Sequence, residues 1–75
     1  MSSKSLVAQA VADMNRATSE LAFALADYEP QYARVFQSHI ANGLKRLRDA
    51  ESALVEASVH AQNEGAAFHT STASG

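Results

Sequence analysis

The chain has no cysteine. Disulfides and thiolate metal sites are therefore excluded. Seventy-five residues form one domain at most, and a core of that size rarely supplies more than about 3–5 kcal/mol. Small proteins make up the deficit with disulfides, a metal or self-association. Here self-association is the remedy that remains. Glycine occurs only at Gly43, Gly65 and Gly75, so no glycine-rich phosphate loop exists. Charge of one sign is also missing. Six Lys and Arg stand against eight Asp and Glu, a formal net charge of −2. A protein that grips nucleic acid through phosphates carries a basic excess, so nucleic acid is not an expected partner. No run of about eighteen apolar residues is present, so no membrane-spanning helix is expected. The N-terminal segment has one positive charge, Lys4, and is then interrupted by Gln9, Asp13, Asn15 and Arg16. That is not the apolar core of a signal peptide. A cysteine-free chain without such a core is expected in the cytoplasm.

Proline occurs once, at Pro30, and it divides two helical patterns. Before it, Val7, Val11, Met14, Thr18, Leu21, Leu25 and Tyr28 recur at steps of four and three. After it, Phe36, Ile40, Gly43, Leu47, Ala50, Leu54, Ala57 and Ala61 do the same. Two such stripes are the seam pattern of helices packed along their length. Proline disfavours a helical residue before it and fits well as the first residue of a new helix. The expected fold is therefore all-α: an antiparallel two-helix hairpin. Residues 1–4 read as a flexible leader, with Ser3 or Ser5 as the cap. Helix 1 is expected over about 5–28, the turn at 29–30 and helix 2 over about 30–64. Gly65 is the expected stop, because glycine readily takes the left-handed conformation that closes helix ends. Residues 65–75 are small and polar and read as a disordered tail.

Folding back at Pro30 pairs Leu25 with Phe36, Leu21 with Ile40, Thr18 with Gly43, Met14 with Leu47, Val11 with Ala50 and Val7 with Leu54. Ala10, Ala17 and Ala24 flank the first stripe. Apolar residues also lie off this seam. Phe23 falls on the far side of helix 1, while Leu44, Val55 and Val59 widen the stripe on helix 2. A widened stripe calls for another helix against it. Two hairpins forming a four-helix bundle would cover Leu44, Val55 and Val59. This layout resembles, in architecture, the Rop-type helical hairpin that dimerises into a four-helix bundle. It is also similar to small hairpin co-chaperones of secretion systems and to short phage-encoded inhibitors of host proteins.

The search for chemistry returns little. His39 and His60 are three heptads apart, about 30 Å along a helix, and cannot share a metal within one chain. His69 lies in the expected tail. Ser38 and His39 are neighbours, but adjacent helical residues point about 100° apart, so they do not make a nucleophile and its base. No catalytic residue, metal site or cofactor is expected, and the chain does not read as an enzyme. The best charged cluster is Lys45, Arg46 and Arg48, with Arg34 three to four turns earlier, countered by Asp49 and Glu51. The reading is a small interaction protein whose partners are a second copy of itself and another protein, which it inhibits, sequesters or chaperones. Its candidate partner-binding residues are Phe23, Leu44, Val55, Val59, Arg34, Lys45 and Arg48. The alternatives are a Rop-like nucleic-acid adaptor and a structural subunit of a larger assembly. They differ in what they require: an exposed apolar patch for the first reading, and a continuous basic stripe for the adaptor.

Overall fold

The computed structural model describes the backbone of residues 2–74 and the side chains of residues 2–68. Helix α1 spans Ser3–Ala26 and helix α2 spans Ala33–Ser74, with a single 3-10 turn, Pro30–Tyr32, between them. The two helices lie antiparallel along one another as a hairpin about 67 Å long.

Each boundary has a local cause. Ser2 sits in an extended conformation and its hydroxyl accepts from the Ser5 amide at 3.2 Å, one of the four amides a helix start leaves unpaired. The cap is thus Ser2, not Ser3 or Ser5, and the helix begins inside the expected leader. Residue 1 of that leader lies outside the described residues. Alanine-rich sequence without glycine or proline carries α1 to Ala26. The Asp27 amide still donates to the Phe23 carbonyl at 3.1 Å. Glu29 is then extended, as a residue before proline prefers. Pro30 opens the 3-10 turn, where its missing N–H costs nothing. The Tyr32 amide donates to the Glu29 carbonyl at 2.8 Å, and α2 follows directly. The reversal therefore occupies 27–32 and is broader than the two residues expected at 29–30.

The C-terminal expectation is not met. Gly65 does not stop α2, which continues to Ser74. No glycine among the described residues has a positive φ, so Gly65 does not use the left-handed conformation that ends helices. Ala66 and Ala67 are strong helix formers and no proline follows to force an exit. Gly75 of the expected tail lies outside the described residues.

The seam between the helices is the larger correction. The buried residues of α1 are Leu6, Ala10, Asp13, Ala17 and Ala24; those of α2 include Gly43, Ala50, Ala53 and Ala57. On α1 these form a heptad displaced by one residue from the expected stripe, whereas on α2 Gly43, Ala50 and Ala57 belong to that stripe and Ala53 replaces Leu54. Val7, Val11, Met14, Leu21, Leu47 and Leu54 all stay partly in solvent. The physical reason is axis separation. Alanine and glycine let helix axes approach towards about 8 Å, whereas layers of leucine and methionine hold them nearer 10 Å. The register differs too. Gly43 faces Leu21, whose side-chain carbons lie 3.2 and 3.3 Å from where a β-carbon would stand, and not Thr18. The Thr18 hydroxyl instead donates to the Met14 carbonyl of its own helix at 3.0 Å.

Polar contacts pin the hairpin at both ends. At the open end the Ser3 hydroxyl and amide donate to the Glu64 carboxylate at 2.6 and 3.1 Å. The carboxylate thereby caps the N-terminus of the other helix, where the aligned peptide dipoles favour negative charge. At the turn, Tyr28 packs on Phe36 with ring centroids 4.6 Å apart and planes tilted by 53°. The Gln31 side-chain amide donates to the Glu29 carboxylate. Between these ends, His39 Nδ1 bridges to Glu20 Oε2 at 2.8 Å.

Candidate functional site

With the alanine seam inside, the two flanks of the hairpin differ in character. One flank is apolar and open. It carries two neighbouring hollows. The first, about 470 Å³, lies between Lys4 and Val7 of α1 and Leu54, Ala57 and Ala61 of α2. The second, about 400 Å³, lies between Met14 of α1 and Leu47, Leu54 and Val55 of α2, floored by Ala50. Leu54 and Ser58 border both, and Leu54, 40% exposed, is the large side chain of the ridge between them. Glu51 lines the second hollow and Lys4 the first. The residues expected to hold the hairpin together from within thus make up most of its open face.

The other flank is polar. Asp13 is buried, its carboxylate 3.7 Å from the Arg16 guanidinium. Asp13, Asp49 and Glu56 line a shallow hollow of about 340 Å³ with Leu6, Gln9 and Ala53. Glu56 also lies 3.7 Å from His60. Further towards the turn, Phe23 stands 61% exposed in a groove of about 300 Å³ with Asn15, Arg16, Ser19, Glu20 and Arg46. Among the described residues, no three His, Asp or Glu side chains gather closely enough to hold a metal ion.

The expected partner-binding residues are dispersed over this surface. Val55 joins the apolar flank, beside Met14 and Leu47. Leu44 and Val59 are exposed on α2; the helical step of about 100° puts Leu44 on the same face as Val55 and turns Val59 further towards the outer side. Phe23 belongs to the polar flank and does not meet them. Arg34, Lys45 and Arg48 are exposed on α2, and no ion pair among the described residues engages them. The Lys45–Asp49 pairing that the spacing allows is not formed. Arg46 parts from that cluster: it is half-buried and lines the Phe23 groove.

Several structural residues escape a reading by hydrophobicity. Asp13, Glu20 and His39 sit along the seam, yet each is polar. Their signal is positional: Leu6, Ala10, Asp13, Ala17, Glu20 and Ala24 make one unbroken heptad of small and polar residues. Glu64 is another, its carboxylate held below its ordinary value of 4.5 by the hydrogen bonds from the Ser3 hydroxyl and then the Ser3 amide.

No described helix is long and apolar enough to cross a membrane. Set against protein-family models, curated proteins and solved structures, the chain matches none.

Proposed function

We propose that this chain is a protein-interaction module that works without turnover in the cytoplasm. Two copies pair into a four-helix bundle, and the assembled bundle binds a further protein through helix faces, inhibiting, sequestering or chaperoning it. One observation carries this reading: the hairpin buries a seam made mostly of alanine and leaves most of its large apolar side chains outside. Among the described large hydrophobic residues, only Leu6 is buried, while fifteen are exposed. Monomeric proteins do not ordinarily display so continuous an apolar surface, and such a surface marks an interface.

The polar flank supplies a surface for the foreign partner once the apolar flank is covered. Phe23 between Arg16 and Arg46 combines an exposed aromatic ring with two guanidinium groups, a pairing of residue types frequent where interface energy concentrates. The rival is a Rop-like adaptor, favoured by the unpaired Arg34, Lys45 and Arg48. Arg16 does not extend their basic stripe, because Asp13 lies beside it.

The test uses the tagged chain in extract of its native host, with Phe23→Ala as control. The expected result is recovery of one or a few defined proteins, reduced at least tenfold by Phe23→Ala while the helical circular dichroism is unchanged. Titration of labelled RNA and duplex DNA at about 0.15 M salt addresses the rival. Sub-micromolar, structure-selective binding there would overturn the protein-partner reading.

A further inference from the structure

We propose that the second copy seats on the open apolar flank about a two-fold axis at Leu54, with the two hairpins antiparallel. The proposal rests on the interaction-module reading and specifies its first contact. Four features of the chain converge on it.

The first is area. A folded single chain of 8.0 kDa is expected to expose about 4,450 Å². This one exposes 5683 Å². The surplus of about 1,200 Å², to which the α2 overhang contributes, is of the same order as the roughly 600–1,000 Å² that each partner gives up in a stable protein interface. A small ligand would not use that much surface.

The second is self-complementarity. A two-fold interface uses the same patch twice, so knobs and holes must both be present on it. The flank has that composition: a Leu54 ridge with one hollow on either side. Rotation about the ridge lays the first hollow of each copy over the second hollow of the other. The Met14 and Leu47 walls then meet the small Ala57 and Ala61 floor.

The third is charge. Lys4 lines the first hollow and Glu51 the second. The same rotation brings Lys4 of each copy to the turn-side end of the other's second hollow, from which its long side chain reaches towards Glu51. A parallel pairing would set like charges against each other, which is unfavourable.

The fourth is length. Helix α1 begins at Ser3, against Glu64, so α2 runs about 15 Å beyond it, a stretch with no α1 alongside. Leu54 stands at the middle of α2, 21 residues from Ala33 and 20 from Ser74. An antiparallel pair centred there needs no extra length. Each overhang lies beside the turn half of the other hairpin.

The experiment is sedimentation equilibrium of the full chain and its variants from about 1 to 100 µM, a range spanning typical specific affinities, with disulfide trapping beside it. Wild type is expected to sediment with twice the 8.0 kDa chain mass. Leu54→Glu should raise the dissociation constant at least 100-fold, and Val59→Glu less than threefold. Circular dichroism shows whether Leu54→Glu keeps its helices. The native chain has no cysteine, so Leu54→Cys gives an unambiguous second readout. On oxidation it should link to itself, whereas Val59→Cys should not. Lys4→Glu should weaken pairing a few-fold, and adding Glu51→Lys should restore it. A wild-type monomer at every concentration overturns the second copy, and leaves the interaction module standing if Phe23-dependent recovery persists. A dimer broken by Val59→Glu and trapped by Val59→Cys overturns this face.

Discussion

Ser3 and Glu64 are 61 residues apart in sequence, yet the serine hydroxyl donates to the carboxylate at 2.6 Å. Because both Ser3 bonds favour the ionised carboxylate, its folded-state pKa lies below 4.5. The stability from this contact is fully present above 4.5 and is lost as pH falls through the lower folded value. Between pH about 5 and 3 the melting temperature of wild type should therefore fall more steeply than that of Glu64→Gln. Parallel curves would show that the contact does not form in solution. Gly43 supports a second prediction at this scale. A β-carbon there would stand 3.2 Å from Leu21, a flexible side chain at the edge of solvent that can yield. Gly43→Ala should raise stability by about 0.5 kcal/mol, since the helix-propensity gain of about 1 kcal/mol outweighs that shift. Gly43→Leu should lower it by about 1–3 kcal/mol through overpacking. Urea midpoints measure both. Equal midpoints for wild type and the leucine variant would contradict the close approach. The Ser3–Glu64 contact was not visible in the sequence, and Gly43 was placed in the seam but opposite Thr18 and not Leu21, because both partners depend on a register that the stripes alone do not fix.

At the scale of elements, the two helices and their reversal at Pro30 were legible, because proline placement and alanine-rich periodicity act locally. The seam was legible on α2, where the expected Gly43, Ala50 and Ala57 are buried, and not on α1. On α1 hydrophobicity points to Val7, Val11 and Met14, and side-chain size points to Ala10, Ala17 and Ala24. A reading that ranks positions by apolarity selects the first set. Close packing of two helices selects the second, and the large residues fall to the flank. The same lesson applies to Gly65, which has the chemistry of a stop but no neighbour that completes one. Ala10 decides between the seams, being 0% exposed. Ala10→Leu should cost about 1–3 kcal/mol or change the assembly. Were the large-residue stripe the inner seam, Ala10 would merely flank it and a leucine would be tolerated with an unchanged urea midpoint.

At the scale of the whole molecule, the hairpin is narrow, 67 Å long by 14 and 13 Å across its Cα positions. Such a rod can enclose few large side chains, and among the described residues Leu6 alone of the large hydrophobics is buried. The sequence already signalled this shortage through its length and lack of cysteine. It also signalled an outer apolar surface, but assigned it to Leu44, Val55 and Val59, of which only Val55 lines the hollows of the open flank. Small-angle X-ray scattering of the chain at about 100 µM, well above typical specific dissociation constants, decides whether two hairpins pair side by side. The expected result is the mass of two chains, a maximum dimension still close to the 67 Å of one, and a thickened cross-section. The mass of one chain, or a dimension approaching twice that length, would contradict it.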